Sequence, residues 1–149
     1  MHGFQVLLID MVNRILVLCT GNSCRSQMAH GYLDFFGKDK VQVLSAGLEK
    51  HGVNPRAILA MKEDGIDISH HTSNLIGEYS NLTFDYVITV CDNAKENCPY
   101  FPARIKVLHH NFPDPAKAKG SEEEIAREFR QVRAMIKNYC KDFVNTYVK

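Results

Sequence analysis

The chain reads Arg14-Ile-Leu-Val-Leu-Cys19-Thr-Gly-Asn-Ser-Cys-Arg25-Ser26 near its start, so a short apolar run passes directly into a polar loop. Such a run, without polar alternation, is typical of a strand that is buried on both faces of a parallel sheet. Apolar residues then recur at helical spacing as far as a glycine: Met28, Ala29, Tyr32, Leu33, Phe36 and Gly37. The stretch therefore predicts a strand, a loop and a helix that begins near Ser26.

The same alternation of strands and helices continues along the chain. Further strands are predicted at residues 41–44, 84–90 and 105–108, and further helices between Asn54 and Gly65 and from residue 122 onward. This order predicts an α/β fold, a short parallel four-stranded sheet with helices on both faces. Parallel strands end at one edge of the sheet, where ligands bind, so the loops at that edge are the candidates for a functional site.

Length and charge limit the classes of protein that the chain can represent. Its 149 residues suit one domain, expected at residues 13–149 after an N-terminal extension at residues 1–12. Lys and Arg number 18 against 17 Asp and Glu, a balance that argues against a nucleic-acid-binding or anionic-membrane surface. The sequence has neither an apolar run long enough for a membrane span nor the basic leader of a signal peptide.

Cysteine usage points to a reducing compartment. The five cysteines are an odd number, which fits a disulfide-stapled secreted domain badly. Cysteines at defined spacings in a cytosolic protein more often bind metal or do redox chemistry. Cys140 lies beside the apolar stripe of the last predicted helix, and we expect it in the core. We expect a cytoplasmic monomer.

Residues 19–26, here called the oxyanion loop, join the first strand to the first helix. A loop at this junction can aim several backbone N–H groups at one point, beside the positive end of the helix dipole. Arg25 adds a planar fork that matches two oxygens of a tetrahedral oxyanion. Cys19 lies in this positive field, which favours its thiolate, and we expect Ser26 to donate a hydrogen bond to the sulfur.

The oxyanion loop predicts nucleophilic attack by Cys19 on a bound oxyanion. Gly21 and Asn22 tolerate the positive φ that such a loop needs. The substrate would be bound by Thr20, Gly21, Asn22, Ser23, Cys24, Arg25 and Ser26. The alternative is an ordinary strand–loop–helix turn with an incidental cysteine, which the combination of cysteine and arginine at this junction disfavours.

The spacing of Cys19 and Arg25, with five residues between them, resembles the phosphate loop of low-molecular-weight protein tyrosine phosphatases. The longer string Cys-Thr-Gly-Asn-Ser-Cys-Arg-Ser-Gln-Met-Ala is similar to their redox relatives, the thioredoxin-coupled arsenate reductases. Further matching segments are Ser45-Ala-Gly47, His51-Gly-Val-Asn-Pro55 and Asp67-Ile-Ser69. The resemblance implies a phosphotyrosine phosphatase I-like fold and an enzyme of arsenic detoxification that acts on arsenate, with phosphate and sulfate as analogues.

Asp114-Pro115 follows the last predicted strand. A carboxylic acid close to the bound oxyanion could protonate a departing oxygen, and the proline biases Asp114 to an extended backbone. By itself an Asp-Pro pair more commonly marks a turn. The resemblance favours the acid, since both branches of the family carry their general acid in an Asp-Pro at this place.

A second cysteine pair, Cys91 and Cys98, begins where the third predicted strand ends. Turning arsenate into arsenite takes two electrons, which two thiols supply when they become a disulfide. The resemblance implies a relay in which a Cys19–Cys91 disulfide forms first and a Cys91–Cys98 disulfide replaces it. It also implies thioredoxin as the reductant that regenerates the thiols.

Other interpretations of these cysteines remain open. Cys91 and Cys98 could be unrelated buried residues, or they could join Cys19 and Cys24 around a zinc ion, although the spacings are wider than zinc sites use and Arg25 would lie beside the metal.

The function itself has alternatives. A low-molecular-weight phosphatase would use the same Cys19, Arg25 and Asp114 to hydrolyse phosphomonoesters through a cysteinyl-phosphate intermediate. Such phosphatases commonly place an aromatic residue after their Asp-Pro, where this chain has Ala116. The third hypothesis is a non-catalytic protein that senses an oxyanion or a metal ion.

Some arsenate reductases of this type hold a potassium ion near the phosphate loop, partly through an acidic residue of the first helix. His30 stands at the position that matches this acid. The remaining oxygen donors would be Asn22, Ser45 and Asp67. We expect no tightly bound cofactor, and the pairs His70-His71 and His109-His110 are poor chelates where neighbouring side chains point to opposite faces of a strand.

Overall fold

Residues 12–149 are described by the structure, a computed structural model. Four strands form one sheet: β1 (Asn13–Cys19), β2 (Val41–Gly47), β3 (Tyr86–Thr89) and β4 (Lys106–His109). Their order across the sheet is β2-β1-β3-β4, and every neighbouring pair is parallel. The predicted α/β fold with a parallel four-stranded sheet is confirmed.

Three α-helices connect and cover the strands. They are α1 (Arg25–Gly37), α2 (Pro55–Glu63) and α3 (Glu122–Tyr147), and short 3-10 helices lie at Lys38–Lys40, Ile76–Tyr79 and Pro115–Lys117. Asn54 caps α2 by accepting a hydrogen bond from the backbone N–H of Arg56 at 2.8 Å. At the start of α3, Ser121 and Glu124 exchange reciprocal hydrogen bonds of 3.1 Å in a capping box. Both helices therefore begin where local side-chain chemistry predicts.

The two faces of the sheet bury their side chains in separate clusters. On one face Ile15 packs with apolar residues of all three α-helices, and Cys140 of α3 lies in this cluster, as expected. On the other face Leu16 packs with Phe84 and with residues of the 3-10 helix Ile76–Tyr79. Helical structure thus lies on both faces, and the α-helices contribute to the first cluster only.

The carboxyl ends of the strands meet at one edge of the sheet. β2 continues to Gly47, beyond the predicted residue 44, because it pairs with β1 as far as Cys19. On the other side of β1, Leu18 is in register with Thr89 of β3. A Cβ at Gly47 would lie 2.6 Å from the Thr20 carbonyl oxygen, so only glycine lets β2 approach the oxyanion loop this closely.

The predicted extension at residues 1–12 falls outside the described residues except for Val12, which precedes β1. The domain boundary at residue 13 therefore stays a prediction. Within residues 12–149, the helices include none with an apolar stretch long enough to cross a lipid bilayer.

Candidate functional site

The oxyanion loop turns through a left-handed backbone conformation at Asn22, where φ is 47°. The buried Asn22 side chain donates from Nδ2 to Ser26 Oγ at 2.8 Å and accepts at Oδ1 from the backbone N–H of Asn74 at 2.8 Å. Asparagine tolerates this conformation better than most other side chains. Positive φ thus occurs at one of the two predicted positions, and two hydrogen bonds hold it there.

Gly21 is needed for space. A Cβ at this position would lie 2.5 Å from His51 Nδ1, so glycine allows the imidazole ring to lie against the loop. The carbonyl oxygen of Asn22 accepts from Gln27 Nε2 at 3.0 Å and from Ser73 Oγ at 2.9 Å. Neighbouring segments therefore satisfy the loop backbone and fix its shape.

Cys19 is the last residue of β1 and carries a free thiol that is almost fully buried. It lines a cleft of about 220 Å³. The other residues around this cleft are Thr20, Gly21, Ser23, Cys24, Arg25, His51, Glu96, Asp114, Ala116 and Lys117. Ser26 Oγ accepts from Asn22 Nδ2 at 2.8 Å, which leaves its hydroxyl proton free to donate, so the expected hydrogen bond from Ser26 to the sulfur stays a prediction.

Cys24 also lines the cleft, and its chemistry differs from the role proposed for Cys19. Burial, followed by the negative charge of Asp114, raises the pKa of the Cys24 thiol well above its usual value. The thiol is therefore protonated at neutral pH and a poor nucleophile. This agrees with a packing role for Cys24 inside the loop.

Arg25 is almost fully buried and directs its guanidinium fork at a carboxylate of the protein itself. Nη1 donates to Glu96 Oε2 at 2.6 Å and Nη2 donates to Glu96 Oε1 at 2.8 Å. Nη1 also donates to the Phe112 carbonyl oxygen at 3.1 Å, whereas Nε is buried without a hydrogen-bond partner among the described residues. The fork predicted to hold an oxyanion thus holds two carboxylate oxygens in this state.

Glu96 was not among the predicted site residues. Its two oxygens also accept from Thr20 Oγ1 at 2.6 Å and from the backbone N–H of Asp92 at 3.0 Å. In the sequence Glu96 is simply an acidic residue between two cysteines. Such a side chain is ordinarily expected to be exposed to solvent. Its contact with Arg25 spans 71 positions of the chain, so local pattern could not reveal it.

The Arg25–Glu96 pair is ionised on both sides. Burial alone would raise the pKa of Glu96, but hydrogen bonds from Arg25 and Thr20 outweigh it and lower the pKa to about 2. Burial alone would lower the pKa of Arg25, and the hydrogen bond with Glu96 outweighs it and raises that pKa above its usual value. Arg25 therefore holds a negatively charged carboxylate at neutral pH.

Asp114 lies at the rim of the same cleft. Its Oδ1 accepts from the backbone N–H of Ala116 at 3.0 Å, while its Oδ2 is 3.7 Å from Arg25 Nη2. The residue has the extended backbone expected before proline, with φ −85° and ψ 106°. One carboxyl oxygen is thus fixed by the following turn and the other faces the arginine, a placement suited to a general acid.

Cys91 and Cys98 are joined by a disulfide, with their Cα atoms 5.8 Å apart. Cys91 is buried just beyond β3, next to the strand that ends at Cys19. The residues between the two cysteines form a turn in which the N–H of Glu96 donates to the Asp92 carbonyl oxygen at 3.0 Å. In this state the two thiols are bonded to each other, so the four-cysteine zinc site is not formed. The Cys19–Cys91 pairing stays a prediction.

The oxygen donors predicted for potassium each have another partner. Asp67 Oδ1 accepts from the backbone N–H of Ser69 at 2.8 Å, and Ser45 Oγ lies 2.9 Å from His30 Nδ1. Asn22 Oδ1 accepts from the N–H of Asn74. A potassium ion is a hard cation that calls for several converging oxygens. Each of these oxygens already has one hydrogen-bond partner, and Ser45 lies beside a nitrogen atom, while the potassium site itself stays a prediction.

Comparisons with known proteins agree with this geometry. Residues 14–149 match the family described as low molecular weight phosphotyrosine protein phosphatase. An arsenate reductase of Bacillus subtilis (strain 168) is 48% identical over 137 residues, which cover 91% of this chain and 99% of that protein. Arsenate reductase 2 of Staphylococcus epidermidis is 50% identical over 129 residues, which cover 87% of this chain and 94% of that protein.

Solved structures give the same result. An arsenate reductase in the phosphate binding state superposes with a TM-score of 0.77 at 32% identity, covering 93% of this chain and 100% of that one. An arsenate reductase in the oxidized state superposes with a TM-score of 0.76 at 32% identity, covering 90% of this chain and 98% of that one. The chain therefore belongs to the low molecular weight phosphotyrosine protein phosphatase family, and it is similar to the arsenate reductases within it.

Proposed function

We propose that this protein reduces arsenate to arsenite, with Cys19 as the nucleophile and with Cys91 and Cys98 as the thiols that are finally oxidised. The observation that carries the proposal is the contact between the oxyanion loop and the cysteine pair: Arg25 holds Glu96, which lies inside the Cys91–Cys98 ring. An anion-binding loop and a redox pair therefore share one cleft. The arsenate reductases similar to this chain support the substrate.

The first step is attack on arsenic. The Arg25 fork and the backbone of the oxyanion loop orient arsenate, and the buried Nε of Arg25, which has no partner among the described residues, supplies one more donor. The Cys19 thiolate bonds to arsenic, and Asp114 gives its proton to the oxygen that leaves as water. The product is a Cys19–arsenate adduct in which arsenic is still pentavalent.

The second step moves two electrons to arsenic. The Cys91 thiolate attacks the Cys19 sulfur, the sulfur–arsenic bond breaks, and its electron pair stays on arsenic, which leaves as arsenite. Cys19 and Cys91 are then a disulfide. The Cys98 thiolate next attacks Cys91, which releases the Cys19 thiolate and leaves the Cys91–Cys98 disulfide that is present in this structure.

Regeneration needs an external dithiol, for which we propose thioredoxin. Its two thiols give up two electrons and two protons and become a disulfide, while Cys91 and Cys98 return to thiols. Cys98 is the accessible member of the pair, since it is partly exposed whereas Cys91 is fully buried. An incoming thiolate therefore meets Cys98 first.

Hydrolysis of phosphomonoesters is the second candidate function, because the family name and the oxyanion loop both suit it. A phosphatase has no use for a disulfide beside its nucleophile. We therefore propose phosphatase activity only as a side reaction, in which water attacks the phosphorus of a Cys19–phosphate adduct, the sulfur–phosphorus bond breaks, and Cys19 leaves as the thiolate.

The proposal predicts how the five thiols respond to a single equivalent of arsenate. The fully reduced protein is mixed with arsenate, quenched with an alkylating agent and mapped by mass spectrometry. We expect about two thiols oxidised for each arsenite formed, with Cys91 and Cys98 joined. With reduced thioredoxin present, all thiols should be recovered.

One equivalent of phosphate is the matched control, since phosphate binds as arsenate does but accepts no electrons. It should leave every thiol free. Arsenite formed with a disulfide that includes Cys24 or Cys140 would contradict the assignment of the pair. If all five thiols stayed free and no arsenite formed, arsenate reduction itself would be contradicted.

A further inference from the structure

We propose that Glu96 is an internal anion that occupies the oxyanion loop while the Cys91–Cys98 disulfide is closed, and that it thereby keeps arsenate and phosphate out of the oxidised protein. The inference rests on the proposed function and adds a redox-dependent control of the same site. Oxyanion binding would then be possible only after the disulfide has been reduced.

The contacts of Glu96 are those of a bound ligand. Its carboxylate accepts four hydrogen bonds: two from the Arg25 fork, one from Thr20 Oγ1 and one from the backbone N–H of Asp92. Only 12% of the Glu96 side chain is exposed. A tetrahedral oxyanion needs the same fork, so the guanidinium cannot hold both anions in a bidentate manner.

The disulfide determines where Glu96 lies. Glu96 is two residues before Cys98, and the closed ring contains a turn in which its N–H donates to the Asp92 carbonyl oxygen at 3.0 Å. That turn brings the carboxylate back toward Arg25. In the proposed cycle Cys91 must reach Cys19, which requires this segment to rearrange once the ring is open, and the rearrangement withdraws Glu96.

The arrangement has a chemical benefit. An oxidised enzyme that bound arsenate would form the Cys19–arsenate adduct without a free thiol to resolve it. Filling the oxyanion loop with a carboxylate prevents this unproductive step. A carboxylate is a suitable blocker, because it engages the fork yet offers the Cys19 sulfur no arsenic or phosphorus centre to attack.

Phosphate binding to the two redox states tests the inference. Calorimetry with inorganic phosphate is performed on the fully reduced protein and on the disulfide form, which is identified by its three free thiols. We expect at least about tenfold weaker binding by the disulfide form. Glu96→Gln should bring the disulfide form to within about threefold of the reduced one, whereas Glu123→Gln, an exposed charge at the start of α3, should leave the difference unchanged.

The possible results separate this inference from the proposed function. Equal affinity in the two wild-type states would overturn the role of Glu96 alone. A difference that persists in Glu96→Gln would show that loop position rather than the carboxylate excludes phosphate, and would also overturn it. Failure of the reduced protein to bind phosphate would instead contradict the oxyanion loop on which the proposed function depends.

A second cluster of side chains combines two residues of α1 with His71. The geometry points to a site for a divalent transition-metal ion, such as Zn²⁺, held by His30, Asp34 and His71. One ligand atom from each of the three residues lies within 4.8 Å of the other two. His30 and Asp34 are one helical turn apart on α1, with His30 Nε2 3.5 Å from Asp34 Oδ2.

Hydrogen bonds prepare both imidazoles for a metal. Gln27 Nε2 donates to the Thr72 and Asn22 carbonyl oxygens, so Gln27 Oε1 accepts from His71 Nδ1 at 3.0 Å and leaves His71 Nε2 with a free lone pair. His30 Nδ1 is likewise engaged, with Ser45 Oγ. Neutral imidazole and carboxylate suit Zn²⁺ better than potassium.

The adjacent residues His70 and His71 would be a poor chelate if they lay on a strand, because their side chains would point to opposite faces. The structure places His70 and His71 at the end of a turn, in which the His71 N–H donates to the Ile68 carbonyl oxygen at 3.0 Å. The His71 ring also lies beside that of His30, with ring centroids 4.3 Å apart. Because His30 and His71 lie on different segments of the chain, the objection to two adjacent histidines on one strand does not apply to them.

Zinc titration by calorimetry tests the site, with Cys19→Ser as the background so that this thiol does not bind the metal. We expect His30→Ala and His71→Ala each to weaken Zn²⁺ binding by at least about tenfold. His109→Ala, an exposed histidine of β4, is the control and should leave the affinity unchanged. The proposed metal site would be overturned if all variants bound Zn²⁺ with the same affinity. It would also be overturned if binding by the background protein were too weak to measure.

Discussion

Cys19→Ser is expected to lower kcat/KM for arsenate reduction by at least about 10⁴-fold. A serine hydroxyl has a much higher pKa than a thiol, and the loop that stabilises a thiolate supplies no base to deprotonate it. Hydrolysis of an aryl phosphate should fall in parallel, because both reactions begin with attack by the same sulfur. Initial rates of arsenite formation and of phenolate release measure the two losses.

Cys140→Ala is the control for this substitution. It removes a thiol that lies in the core next to α1, where its sulfur donates to the Ala29 carbonyl oxygen at 3.7 Å, and it should leave both rates unchanged. Retention of more than about a tenth of wild-type reduction by Cys19→Ser would assign the nucleophile to another residue.

Cys98→Ser should confine the enzyme to a single turnover, with no more than about one arsenite formed per chain even when thioredoxin is in excess. Without the third thiol, the reaction stops at the Cys19–Cys91 disulfide, and the nucleophile is not returned. Arsenite formation should therefore show a burst and then a plateau.

Aryl phosphate hydrolysis provides the internal control, because the reduced Cys98→Ser protein keeps Cys19, Arg25 and Asp114. That activity should remain largely intact. Continuous arsenite formation at the wild-type rate would mean that the three-thiol relay is wrong, and that thioredoxin reduces the first disulfide directly.

Local chemistry made the scaffold predictable. The apolar run before Cys19, the capping asparagine before α2 and the capping box before α3 all involve residues within a few positions of one another, and each element occurs where they indicated. The edge of the sheet where the loops meet follows from parallel strand order alone. For these reasons the residues of the cleft could be nominated from the sequence.

Contacts over long chain separations were not predictable in the same way. Glu96 reaches Arg25 across 71 positions, and the hydrogen bond between His71 and Gln27 spans 44. Each depends on how a turn places one side chain, and Glu96 lies within the ring that the Cys91–Cys98 disulfide closes. The hydrogen bond from Asn22 Nδ2 to Ser26 Oγ was likewise not predicted, because it accompanies the left-handed backbone conformation that the loop adopts at Asn22.

The closed Cys91–Cys98 bond has a consequence for product release. Trivalent arsenic is thiophilic and is sequestered most strongly by neighbouring sulfhydryls. In the proposed cycle arsenite departs as Cys19 and Cys91 become a disulfide, and Cys98 then closes the bond with Cys91. Of the three thiols free at that moment, Cys98 next attacks Cys91, while Cys24 and Cys140 are buried, and burial raises the pKa of each. Arsenite therefore leaves a site that offers no pair of neighbouring free thiols to chelate it.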